Sequence, residues 1–85
     1  MITVAQLRAA RALLNWSQDD LAVRSGVSKP TIARLELGDG MLGGYGSTRE
    51  KLIAALETAG VIFIPENGGG PGVRLRTGSD PSRNH

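Results

Sequence analysis

The groups that do covalent chemistry in proteins are nearly all missing from this chain. Cysteine is absent, and the only histidine is His85, the final residue. This leaves no thiolate nucleophile or metal site, no disulfide framework and no histidine-centred acid–base pair. The carboxylates form no catalytic set. Asp19, Asp20 and Glu50 fall at helix starts, where acids favour the positive end of the helix dipole. Glu57, Glu66 and Asp80 have no paired partner by spacing. Gly38-Asp39-Gly40-Met41-Leu42-Gly43 matches the letters G-x-G-x-x-G. A dinucleotide loop follows a strand and opens a helix, whereas this stretch follows a helix, so it reads as a connection. The expectation is no enzyme activity, no cofactor and no metal. What remains is charge. Between Leu21 and Leu35 stand three cations, Arg24, Lys29 and Arg34, and no acid, a local +3 in a chain of net +2. Such a segment suits a polyanion, because phosphate neutralisation supplies most of the binding energy for nucleic acid.

Four helices are needed to position those cations, and their starts are visible. Thr3 with Gln6 makes a capping box, with Ile2 and Leu7 in staple position. Ser17 precedes Asp19 and Asp20, with Trp16 and Leu21 as the staple. Ser28 precedes Pro30, with Val27 and Ile32 as the staple. Ser47 with Glu50 makes a second box. The helices are expected at 3–14, 18–25, 29–37 and 48–59, the last three ending at Gly26, Gly38 and Gly60. Val4, Leu7, Ala10 and Leu14 make the inner stripe of the first, and Leu52, Ile53, Leu56 and Ala59 that of the fourth.

Beyond Gly60 the period changes. Val61-Ile62-Phe63-Ile64 is β-branched and aromatic, residues 66–72 are turn-rich, and Val73-Arg74-Leu75-Arg76 alternates. This predicts a β-hairpin at 61–76, and residues 77–85 read as a disordered tail. At 85 residues the chain makes one small core, too small for a catalytic domain with a deep cleft. Hydrophobic residues at 40% and charged residues at 21% are ordinary for a globular domain. No apolar run reaches ten residues and no basic segment with an apolar core follows Met1, so a cytoplasmic protein without membrane partners is expected.

Only Gly26-Val27-Ser28 separates the second helix from the third. So short a turn makes the two cross steeply, the helix-turn-helix arrangement. Over Leu7–Gly38 the sequence resembles the Cro/cI-type regulators, the xenobiotic-response-element class. The marks are Ser17-Gln18, Leu21-Ala22, Gly26-Val27-Ser28, and Thr31-Ile32 leading to Leu35-Glu36. The resemblance implies a mainly α fold: a lambda-repressor-like bundle of the four-to-five-helix type, four helices being read here, with the C-terminal β-hairpin added. Residues 1–60 would then be the DNA-binding domain.

The roles it implies fall on matching positions. Gln18 would contact phosphate and brace the recognition helix. Ser28, Lys29 and Pro30 would begin that helix, against base edges and nearby backbone. Thr31 would touch phosphate, with Ala33 and Arg34 one turn further along. Arg34 and Lys29 are the side chains able to read guanine. Pro30 departs from the polar residues often found there and has no hydrogen bond to donate. Arg11 and Glu36 match a structural ion pair joining the first helix to the third.

The expected activity is a sequence-specific transcriptional regulator on double-stranded DNA, a repressor at a palindromic operator. The alternative is a protein-interaction module on the same fold, an antiactivator or antitoxin. Residues 38–46 hold five glycines together with the apolar Met41, Leu42 and Tyr45. These three close the core or mark a protein partner's surface. Every residue of 61–64 is apolar, so both faces of that strand call for burial. Val61, Ile62, Phe63, Ile64, Val73 and Leu75 are therefore candidates for a homodimer contact. The rivals are a hairpin that caps its own core and a wing placing Arg74 and Arg76 on phosphate.

Overall fold

Local capping chemistry places the first three helices. The computed structural model describes residues 2–76, in the order α1 (Val4–Leu14), α2 (Gln18–Ser25), α3 (Lys29–Glu36), α4 (Gly46–Thr58), β1 (Val61–Ile64) and β2 (Gly72–Leu75). The expected tail, 77–85, lies outside the described residues. At α1 the Thr3 hydroxyl accepts from the Gln6 N–H at 3.0 Å, and the Gln6 side-chain oxygen accepts from the Thr3 N–H at 2.8 Å. Ser17 and Asp20 make the same reciprocal pair at α2, at 3.0 and 2.8 Å. Ser28 caps α3, where Pro30 sits in the first turn and sacrifices no intrahelical bond.

The α1 helix stops at Leu14 as expected, whereas the end of α3 and the start of α4 differ. The α1 C-cap is Asn15, in the left-handed region at φ 57°. Asparagine tolerates that conformation nearly as glycine does. At the end of α3, Leu37 is the C-cap in right-handed geometry, and Gly38 does not take the left-handed conformation. That end is closed instead by i→i+3 bonds from the Leu37 and Gly38 N–H groups and by Arg8, whose Nη1 donates to the Glu36 carbonyl at 2.7 Å. The α4 helix starts at Gly46, two residues early, and the Ser47–Glu50 box does not form. Its N-cap is Tyr45, which makes no side-chain cap bond. Gly44 directs this start, with φ 89° and a backbone so close to Leu35 that an added Cβ would lie 3.2 Å from Cδ2. Arg49 fixes the turn by donating to the Gly44 carbonyl.

One core joins all elements. Leu7, Leu21, Ile32, Leu52 and Leu56 are fully buried, with Ile2, Val4, Ala10, Leu14, Val27, Leu42 and Val61 around them. Ile53 and Ala59, read as inward-facing, are half-buried at its edge. The glycine-rich connection is tied down. Val4 N–H donates to the Gly40 carbonyl and Leu42 N–H to the Ile2 carbonyl, both at 2.9 Å. Leu42 thereby enters the core, while Met41 and Tyr45 stay 57% and 84% exposed. The three apolar residues of this loop thus divide: one closes the core and two face outward.

The hairpin pairs Val61 with Leu75, Ile62 with Arg74, Phe63 with Val73 and Ile64 with Gly72. Strand alternation puts Val61, Phe63, Val73 and Leu75 on the core side, where all four pack. Of the expected dimer set these four pack on the chain's own core, against α1 and α4, with Val61 buried and Phe63, Val73 and Leu75 half-buried. Only Ile62 and Ile64 lie on the opposite face, half-buried, with Arg74 exposed beside them. The buried Gln6 side chain of α1 clamps the loop end of the hairpin. Its Nε2 donates to the Ile64 carbonyl at 3.0 Å and to the Gly72 carbonyl at 2.9 Å, so both strands are held by one amide.

Candidate nucleic-acid interface

The turn between α2 and α3 sets which side of α3 faces water. Gly26 takes φ 77°, a conformation L side chains rarely adopt, and reverses the chain in one step. Val27 is buried below the turn, and its N–H finds the Ser25 hydroxyl at 3.1 Å. Leu21 of α2 and Ile32 of α3 are fully buried, and Ala22 and Leu35 pack at the edge of the same cluster. With that side committed, Ser28, Lys29, Pro30 and Arg34 are exposed and Thr31 and Ala33 half-buried. Lys29 and Ala33, like Pro30 and Arg34, are four apart and share one outer stripe. Leu37 continues the stripe four residues after Ala33 and is 86% exposed. Leu37 falls at the expected end of the helix, and its spacing from Ala33 is the signal that places it on this face.

The stripe is anchored from behind by a carboxylate with three donors. Arg11 of α1 meets Glu36 of α3 side-on, with Nε to Oε2 at 2.8 Å and Nη2 to Oε1 at 2.7 Å. Gln18 of α2 adds its Nε2 to Oε1 at 3.0 Å. The same guanidinium reaches back to the Trp16 carbonyl at 2.9 Å, in the α1–α2 turn. The Glu36 side chain is only 5% exposed and that of Arg11 21%. Burial pushes the Glu36 carboxyl up. Hydrogen bonds from Arg11 and Gln18 and the charges of Arg11 and Arg8 outweigh it and hold the group below its ordinary value. The hydrogen bond to Glu36 raises the Arg11 pKa in turn, against the effect of its own burial. Gln18 is thus a brace joining α2 to α3. Arg8, which closes the α3 terminus, was not foreseen, although its spacing three before Arg11 places both arginines on one side of α1.

The charge is shared between the two helices of the motif. Arg24 belongs to α2, and its guanidinium lies over the Trp16 ring, 5.1 Å from the centroid, at a cleft shared with α4. Two of the three cations therefore belong to α3. Of these, Lys29 pairs with Asp19 of α2 at 3.2 Å, with both groups largely exposed. The Arg34 side chain makes no hydrogen bond or ion pair among the described residues. Ser28 Oγ donates to Thr31 Oγ1 at 2.9 Å, so these hydroxyls occupy each other at the head of α3.

No cluster of three or more His, Asp or Glu is placed to hold a metal ion among the described residues. No helix among them is long and apolar enough to cross a membrane. A search of curated proteins found no match to the chain. A family model described as "Helix-turn-helix" matches residues 7–44, which run from α1 through both helices of the motif into the connection before α4. The match and the geometry cover the same segment: residues 7–44 form a helix-turn-helix of the Cro/C1 type.

Proposed function

We propose that the chain is a sequence-specific repressor that binds a palindromic operator as a homodimer, in the cytoplasm and without a catalytic step. The observation that supports this reading is the outer stripe of α3. Lys29 and Arg34 project from a helix whose rear is fixed to α1 and α2 through Glu36. A rigid reading helix loses little ordering entropy on binding, which leaves more of each contact for affinity. Arg34 suits bidentate recognition of guanine. Pro30, Ala33 and Leu37 offer methyl and methylene surface for thymine methyl groups. Lys29 exchanges Asp19 for phosphate or a base edge, and an exposed pair of this kind costs at most about 1 kcal/mol to break. Ser28 and Thr31 lie where hydroxyls meet the nearby backbone. The second copy would be joined through Ile62 and Ile64, with two recognition helices about 34 Å apart, one turn of DNA.

A gel shift with the DNA upstream of its own gene tests this reading. The expected result is a retarded band that competitor DNA of random sequence does not remove. A band removed equally by both would refute sequence specificity. A second reading, an antiactivator or antitoxin that binds another protein, is favoured by one observation. Leu37, Met41 and Tyr45 all stand exposed between α3 and α4.

A further inference from the structure

A cleft between α2 and α4 takes no part in the DNA reading. It has a volume of about 350 Å³, within the size range of small-molecule sites. Trp16, Arg24 and Ser25 line one side, and Lys51, Ala54 and Thr58 of α4 the other. The small alanine side chains of α4 leave the hollow open. Its chemistry is one-sided: an indole ring, two cations, hydroxyls and no carboxylate in the lining. Neither Arg24 nor Lys51 makes an ion pair among the described residues. Arg24 is held against the Trp16 ring, so the cation and the aromatic surface are adjacent.

We propose that this cleft is a binding site for a small aromatic carboxylate. The ring lies along the alanine wall beside the stacked Arg24–Trp16 pair, and the carboxylate lies between Arg24 and Lys51. A guanidinium offers paired donors to a planar carboxylate, and a lysine ammonium adds a point charge, so the acid is preferred to its neutral amide. The aromatic body separates this ligand from simple anions, which use the cations alone.

Trp16 is the only tryptophan in the chain, so its emission reports on the cleft directly. The test is titration of the full chain with phenylacetate, with phenylacetamide and with inorganic phosphate. Saturable quenching by phenylacetate is expected with a Kd of about 1 mM or tighter, the scale that so small a ligand permits. Phenylacetamide and phosphate are expected to bind far more weakly. Calorimetry of Arg24→Gln and Lys51→Gln should show at least about a tenfold weaker Kd in each, the effect of one charge-assisted hydrogen bond. Ala54→Phe, at an exposed helical position, should fill the cleft and abolish binding while the helical circular dichroism is retained. The proposal is overturned by any one of three results. These are no saturable response, equal binding of phenylacetamide or phosphate, or unchanged affinity in both charge variants.

Discussion

Removing the Arg11 side chain would strand the Glu36 carboxylate inside the junction of three helices, with Gln18 as its remaining side-chain donor. Breaking a fully buried pair from one side costs about 3–5 kcal/mol. Arg11 is partly open to water, so Arg11→Ala should cost less, about 2 kcal/mol. Chemical denaturation measures it, and a loss below about 0.5 kcal/mol would mean the pair adds no more than a surface one. The same carboxylate gives a pH dependence whose sign is fixed. Its folded pKa lies below the ordinary 4.5. Above that value the unfolded chain is also ionised and the full contribution is present; as pH falls, the unfolded state takes up the proton first and the contribution is lost. Melting temperature followed from about pH 6 to about pH 3 should therefore fall less steeply in Glu36→Gln than in the unaltered chain. Parallel acid limbs would show that Glu36 does not carry the dependence. The sequence pointed to Arg11 and Glu36 through resemblance. The resemblance also gives Gln18 a bracing role, but that it donates to the same Glu36 oxygen as Arg11 is seen only in the packed helices.

Elements whose boundaries rest on local chemistry were legible from the sequence, and those set by distant packing were not. Thr3, Ser17 and Ser28 each cap from within their own first turn, and all three starts lie where the sequence puts them. The α4 start moved because Gly44 packs on Leu35 and Arg49 bonds back to Gly44, contacts that override a plausible Ser47 cap. Both strands were legible, β1 from its β-branched and aromatic run and β2 from its alternation. What fastens them was not, since Gln6 reads locally as a capping-box member and its two hairpin contacts lie 58 and 66 residues away. Gln6→Ala leaves the Ile64 and Gly72 carbonyls without that donor and should destabilise the chain by about 1–3 kcal/mol. Hydrogen exchange should show the greatest loss of protection in β1 and β2. Loss spread evenly over α1–α4 would mean that the clamp acts through the α1 cap alone.

At the scale of the whole molecule, the hairpin covers its own core with one face and presents Ile62 and Ile64 on the other. Ending the chain at Gly60 would also remove the buried Val61, so a full-length variant tests dimerisation more cleanly. Ile62→Lys should shift sedimentation from dimer to monomer and weaken operator binding, with the melting transition still cooperative. A wild-type chain that sediments as a monomer at high micromolar concentration would remove the dimer from the account and leave the outer face to Arg74 as a wing. The central claim is that α3 reads DNA, and it is tested most directly by fluorescence anisotropy with the Lys29→Ala/Arg34→Ala double variant. Both side chains are exposed and neither packs in the core, so thermal stability should hardly change. Each good base contact contributes roughly 1–3 kcal/mol, so the double variant should lose at least about thirtyfold in operator affinity and retain only weak, salt-sensitive binding to any sequence. Operator affinity preserved within a few-fold in a folded double variant would contradict the account.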